Sequence, residues 1–291
     1  MNTYLWLFHR EAWENRAIWV LPAAVSALLL IICLFGKIPI DEIPRHLTAE
    51  QITAVTPMLF IGISALMLAL MSVYTSWYLL DCLSADRKDR SVLFWKSLPV
   101  TDTDTVLSKL FMGLFIIPFV YFIAADVTAV GAAFILSVRG GSPFAAALWN
   151  PTTWLQLQAL SLYMILTAAL WFLPLSGWML LMSAWANRAV TLWALLAPLV
   201  VCYVETKLLG TSYLIDALKQ HLLSFPGVAF REPKLFTSQL SDGGNISVPR
   251  MSWEQFDPMF FFGNVEMWAG VVLGAAFIAA AIYLRRRYTE V

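Results

Sequence analysis

Ionisable side chains are scarce in this 291-residue chain and crowd into one stretch. Residues 81–109, DCLSADRKDRSVLFWKSLPVTDTDTVLSK, carry ten of them, five acidic and five basic. A segment that bound anionic lipid would show an excess of Lys and Arg, whereas balanced signs suit the complementarity of a protein contact. Phe94 and Trp95 lie between Arg90 and Lys96, apolar anchors inside a charged rim, which is the composition of a contact hot spot. The chemistry of this stretch is recognition. Bond-making chemistry is harder to find. Asp126 is the one ionisable residue well inside an apolar run, about 24 Å along a helix counted from Leu110. A carboxylate there is costly, and it serves as a proton relay, as a polar contact in a pathway, or as a structural hydrogen-bond acceptor. His9, His46 and His221 stand alone, without an HExxH motif, and Cys33, Cys82 and Cys202 are far apart. Neither a metal site nor a disulfide framework is expected. No GxxxxGK[ST] phosphate loop occurs, so nucleotide hydrolysis of that kind would have to come from another subunit.

The elements that must position these residues are apolar. Hydrophobic residues make up 60% of the chain and charged ones 13%, and mean hydropathy is +0.72. That leaves too little polar surface to clothe a soluble globule. The formal net charge of zero argues against a nucleic-acid partner, which requires a basic footprint. Residues 18–35, 57–80, 159–184, 189–204 and 267–284 contain no charge, and 110–137 contains only Asp126. About 20 apolar residues cross the hydrocarbon core, so the expected fold is an all-α integral membrane protein with six transmembrane helices in one domain, 1–291. The third run is overlong and must tilt, kink at Pro118 or project. Pro118, Pro174 and Pro198 inside spans read as packing kinks.

Orientation follows from basic residues. With six spans both termini share a side, and the segments there, 1–17, 81–109, 185–188 and 285–291, hold 11 of the 19 Lys and Arg. The two short loops opposite hold Lys37, Arg45 and Arg139. The expectation is therefore cytoplasmic termini and a cytoplasmic 81–109 segment. The first run lacks an A-x-A-like cleavage site and reads as a span rather than a signal peptide. Ahead of it, in residues 1–17, Leu5, Trp6, Phe8, Ala12 and Trp13 share a helical side, while Arg10, Glu11 and Glu14 face away. This predicts an interfacial amphipathic helix, with the chain turning in near Pro22. Residues 205–266 form a long outer loop. It carries an amphipathic helix over 212–225, a turn at Asp242-Gly243-Gly244-Asn245, and aromatics Trp253, Phe256, Phe260, Phe261 and Phe262 that suit an interfacial belt.

Within 81–109 the second span continues as a helix past Leu80, and Pro99 breaks it. Thr101 with Asp104 three residues on is a capping-box pattern that starts a new helix leading into the third span. This arrangement resembles the permease subunits of the type-2 ABC exporter family. They often carry D-x-L-x-x-[ED]-R-x-D-[RK]-S-x-x-F-W-x-S-L-P-[VI]-[ST] after the second span. The matching positions are Asp81, Leu83, Asp86, Arg87, Asp89, Arg90, Ser91, Phe94, Trp95, Ser97, Leu98, Pro99, Val100 and Thr101. Many relatives have Glu where this chain has Asp86, a change that keeps the charge. The resemblance implies that this segment is a coupling helix docking on an ATPase subunit. Asp86, Arg87, Asp89, Arg90, Phe94, Trp95 and Lys96 would make the contact. It also implies two permease copies, as a homodimer of this chain, paired with two ATPases that hold the ATP and Mg, in the cytoplasmic membrane of a bacterium.

Two other classes remain open on the sequence. A non-transporting scaffold or sensor subunit would dock an ATPase with the same segment. An intramembrane enzyme would need polar groups converging at one depth, and apart from Asp126 the spans offer hydroxyls with Gln156 and Gln158 near one end. For an exporter, aromatic-rich, nearly uncharged spans suit a hydrophobic or amphipathic cargo.

Overall fold

The computed structural model describes residues 3–36, 49–88, 101–230, 235–239, 245–249, 253 and 256–287. Its helices are α1 (Thr3–Glu14), α2 (Ala17–Phe35), α3 (Ala49–Lys88), α4 (Asp102–Phe111), α5 (Ile117–Leu148), α6 (Pro151–Trp171), α7 (Leu173–Trp185), α8 (Val190–Val204), α9 (Tyr213–Leu223), α10 (Phe225–Ala229), α11 (Pro258–Phe262) and α12 (Val265–Arg287). Among the described residues six segments are long and apolar enough to cross a membrane: Ala17–Phe35, Met58–Lys88, Asp102–Gly140, Pro151–Trp171, Val190–Leu209 and Val265–Arg287. The architecture is that of a helical integral membrane protein. Among the described residues, a hairpin in the loop before the sixth span departs from the all-α pattern, β1 (Leu235–Gln239) antiparallel to β2 (Asn245–Pro249), with Leu235 opposite Pro249. Asp242, Gly243 and Gly244 of the expected turn lie outside the described residues, and Asn245 opens β2.

Backbone hydrogen bonding explains where these helices bend. Pro118 has no N–H to offer the carbonyl one turn back, and the residues before it, Met112–Ile116, form a wider π-turn between α4 and α5. The third span also projects. Its 39 residues extend about 58 Å at 1.5 Å each, well beyond a hydrocarbon core of about 30 Å. The fourth apolar run, expected as one span over 159–184, instead begins at Pro151 and breaks at Phe172. Pro174 removes the next N–H, while Phe172 still donates to Ala168 (2.9 Å) and accepts from Ser176 (2.9 Å). Pro198 and Pro22 are carried inside their helices. The chain enters the first span through the two-residue turn Asn15–Arg16 rather than near Pro22, with Ile18 donating to the Asn15 carbonyl (3.0 Å). Between the fourth and fifth spans Ala189 takes a left-handed backbone, φ 52, and opens α8.

The core lies where the spans meet, around Ile18, Met67, Leu79, Leu83, Val106, Leu110, Ile117, Tyr121, Leu180 and Ala281. Backbones touch between α7 and α12. A Cβ on Gly177 would stand 2.8 Å from the Gly274 carbonyl oxygen, and one on Gly274 would stand 2.8 Å from the Leu173 carbonyl carbon. Small residues allow this approach in lipid, where packing rather than water release holds helices together. Near the start of α12, Trp171, Phe225, Ala229, Phe261 and Met267 form a second cluster. It buries Phe261 of the aromatic set expected to lie in a belt, while Trp253, Phe256, Phe260 and Phe262 are exposed. The amphipathic helix expected over 212–225 is α9 followed by α10; Phe225 is buried, Leu214 and Leu218 half-buried and Leu222 exposed.

Candidate functional site

The polar end of the bundle contains a buried ion network that joins four parts of the chain. Its centre is Asp86, near the end of α3. Asp86 Oδ2 accepts from Arg285 of α12 (3.2 Å), and Oδ1 faces Lys109 of α4 (3.4 Å) and Arg10 of α1 (3.6 Å). Lys109 also reaches Glu11 of α1 (2.7 Å), whose second oxygen accepts from the Tyr78 hydroxyl of α3 (2.9 Å). Arg285 extends the network to Asp102 at the start of α4 (3.1 Å). Side-chain exposure is 3% for Glu11 and for Lys109, 7% for Asp86, 9% for Arg10 and 10% for Arg285. Charges this deep persist only when paired. Three acids meet three bases here, so the cluster is close to neutral as a unit.

Local sequence explains how each group arrives. Thr101 caps α4 in a complete capping box: its hydroxyl accepts from the Asp104 N–H (3.1 Å), and the Asp104 carboxylate accepts from the Thr101 N–H (3.3 Å). That cap sets the helix direction, so Asp102 and Lys109, seven residues apart, fall on one face. Asp86 and Arg87, being consecutive on a helix, serve different neighbours. Arg87 donates to the carbonyls of Ser183, Ala184 and Ala186, the last at 2.9 Å. These are orphan acceptors at the C-terminus of α7, a position where a cation is favoured. Ser183, fully buried, accepts from the N–H groups of Leu83 and Ser84 (3.1 and 3.2 Å) and ties the same two helices.

The residues singled out in the sequence are thus placed unevenly. The side chains of Asp86 and Arg87, read there as part of a docking surface, contact helices of their own chain, because burial next to Lys109, Arg285 and the end of α7 satisfies them. Asp89, Arg90, Phe94, Trp95 and Lys96 lie outside the described residues. Asp126 is half-buried and accepts from the Gln158 amide, which joins the third and fourth spans through two residues noted separately in the sequence. Glu11 departs from expectation: it points into the protein, 2% exposed, while Trp13 of the expected apolar side is 65% exposed. Phe8 and Ala12 do pack on the core, and the side chains of Leu5 and Trp6 lie outside the described residues. The cause is electrostatic, since Lys109 and Tyr78 offer Glu11 partners that the isolated helix lacks. Sequence reasoning also passed over Tyr78, Lys109, Asp102 and Arg285 as a set. The available signal was one charge at the polar end of each of several apolar runs.

At the other end of α12, His221 is no longer isolated. Its ring stacks on Trp171 at 4.6 Å between centroids and 12° between planes. Trp171 Nε1 donates to the His221 carbonyl (2.7 Å), and His221 Nε2 lies 3.0 Å from the Trp171 carbonyl. The neutral tautomer with hydrogen on Nε2 makes that second bond. Burial holds the imidazole pKa below its ordinary value, opposed by the carbonyl contact and by Glu266. Gln220 donates to Glu266 beside it, so α9 is pinned to the break between α6 and α7 and to the start of α12.

Among the described residues no group of three or more His, Cys, Asp and Glu could hold a metal ion. The network fastens both flanks of segment 89–100, Asp86 before it and Asp102 and Lys109 after it, to α1 and α12. No family model, curated protein or solved structure matches the chain.

Proposed function

We infer that the chain is the transmembrane permease subunit of an ATP-driven exporter, and that within residues 81–109 the segment 89–100 forms the contact with a separate ATP-hydrolysing subunit. The buried network carries this reading. Asp86 before segment 89–100, and Asp102 and Lys109 after it, are ion-paired to α1 and α12. A displacement of that segment is therefore delivered to two further elements, as a coupling element requires. The motif over 81–101 supports the same reading. Asp86 and Arg87 act as positioning residues at the base of the segment, and Asp89, Arg90, Phe94, Trp95 and Lys96 make the contact. Energy enters through contacts that differ between two states of the partner. In this reading the segment and both termini face the cytoplasm of a bacterium, two permease copies pair, and ATP and Mg stay with the partner.

The test is purification of the tagged full chain from its own membranes in mild detergent. The expected result is an equal amount of a second protein that carries GxxxxGK[ST] and hydrolyses ATP. Recovery of this chain without any nucleotide-hydrolysing partner, across several detergents, overturns the reading.

A further inference from the structure

A cavity of about 210 Å³ opens between the polar end of α3 and the first turn of α8, lined by Trp77, Asp81, Ser84, Lys88 and Thr191. Among the described residues its charges are one pair of opposite sign. Lys88 Nζ lies 3.5 Å from Asp81 Oδ1, with the two side chains 60% and 50% exposed, and Ser84 Oγ donates to the same Asp81 oxygen (3.1 Å). Because Lys88 reaches back along the helix, both charges sit at one depth. On the facing wall Ala189, at the N-cap of α8, makes no side-chain cap bond, and the first turn, Val190 and Thr191, borders the cavity.

The cavity is continuous with an apolar stripe. Leu66, Leu70, Val73, Trp77, Asp81, Ser84 and Lys88 recur at three- and four-residue spacing, one face of α3. Along that face Leu66 is 42%, Val73 72% and Trp77 66% exposed. The face is thus apolar over three turns and then changes to a charge pair beside a cavity. Its volume lies below the roughly 300–1,000 Å³ of pockets that enclose a drug-sized ligand, so it suits a headgroup whose tails remain outside.

We propose that this cavity binds the headgroup of a zwitterionic phospholipid bearing a primary ammonium, with its acyl chains along Leu66, Val73 and Trp77. Lys88 and the N-terminal turn of α8 take the phosphate. Asp81 accepts from the ammonium, so the ligand exchanges partners with an existing ion pair instead of leaving a charge unmatched. An anionic lipid would satisfy Lys88 and place negative charge against Asp81. The site stands independently of export and of any ATPase.

The experiment is native mass spectrometry of the full chain in detergent, with phosphatidylethanolamine or phosphatidylglycerol added, on the native sequence and on Lys88→Gln and Asp81→Asn. Both substituted side chains are half-exposed, and unchanged thermal unfolding verifies the fold of each variant. The native chain is expected to retain phosphatidylethanolamine over phosphatidylglycerol. Lys88→Gln loses up to about fivefold of both, the size of a half-exposed charged contact. Asp81→Asn loses the preference between them. Equal retention of the two lipids by the native chain, unaffected by either variant, means annular lipid only and overturns the site. Retention of soluble phosphoethanolamine as tight as that of the lipid overturns the role of the stripe. A lipid-free dimer that Lys88→Gln dissociates assigns the cavity to a second copy and overturns the proposal.

Discussion

Buried charge is the dominant stress on individual residues in this chain. Glu11 and Lys109 are each 3% exposed at the side chain and 2.7 Å apart; removing Lys109 leaves the buried Glu11 charge with the neutral Tyr78 hydroxyl as its partner, whereas Lys109 without Glu11 keeps Asp86 at 3.4 Å. Lys109→Met alone should cost about 3–5 kcal/mol and Glu11→Leu alone less, whereas the two combined should recover most of the loss. Asp86 keeps Arg10 and Arg285 in the double variant. Unfolding midpoints in detergent report the difference, and additive losses in the double variant would contradict the pairing. His221 gives a pH dependence. Its folded-state pKa lies below the ordinary 6.5, so the unfolded chain binds the proton more readily across that interval. Stability is therefore fullest above the ordinary value and falls as pH drops through it toward the folded pKa. Protection factors of the α9 amides, with the intrinsic pH dependence of exchange divided out, should fall as pH drops below the ordinary 6.5, and His221→Phe should remove that dependence. Neither pairing could be read from spacing, because Glu11 and Lys109 are 98 positions apart and Trp171 and His221 are 50. A helical wheel of residues 1–17 turns Glu11 outward because it knows only its own helix.

Among the elements, the contact between α7 and α12 is the tightest. Gly274→Val places a side chain where even a Cβ meets the Leu173 backbone at 2.8 Å. Overpacking of this kind costs about 1–3 kcal/mol or more. Gly62→Ala, which meets nothing within 4 Å, is the matched control. Lower folded yield for Gly274→Val alone is the expected outcome in size-exclusion profiles; equal profiles for both would show that the helices can part at no cost. The G-x-x-x-G spacing of Gly270 and Gly274 is a signal of close packing that the sequence reading passed over, and it does not name the partner helix. What was legible among elements was local. The Thr101–Asp104 cap closed as expected, and six apolar runs, five of them free of charge and one holding only Asp126, correspond to the six candidate spans. The break at Phe172 was not legible, since Pro174 alone signals a kink and not where the preceding helix begins. The π-turn at Met112–Ile116 likewise resolves Pro118 by one of several routes the sequence leaves equal.

Across the whole molecule, the exporter reading makes segment 89–100 the input and the network its attachment. Trp95→Ala should leave expression and unfolding unchanged while ATP hydrolysis by the complex persists without transport; wild-type transport by that variant would exclude the assignment. Membrane class was legible from composition, because 60% hydrophobic residues leave no other solvent for the chain. The network was not, because it is assembled from opposite ends of the sequence. One further consequence comes from the consecutive pair Asp86 and Arg87. Neighbouring side chains on a helix point about 100° apart, and here one grips α1, α4 and α12 while the other grips the end of α7. The second span is keyed like a shaft held by two splines: it cannot roll about its own axis without stripping one set of bonds. The low-energy motions left to it are tilting or sliding together with its neighbours, as one block.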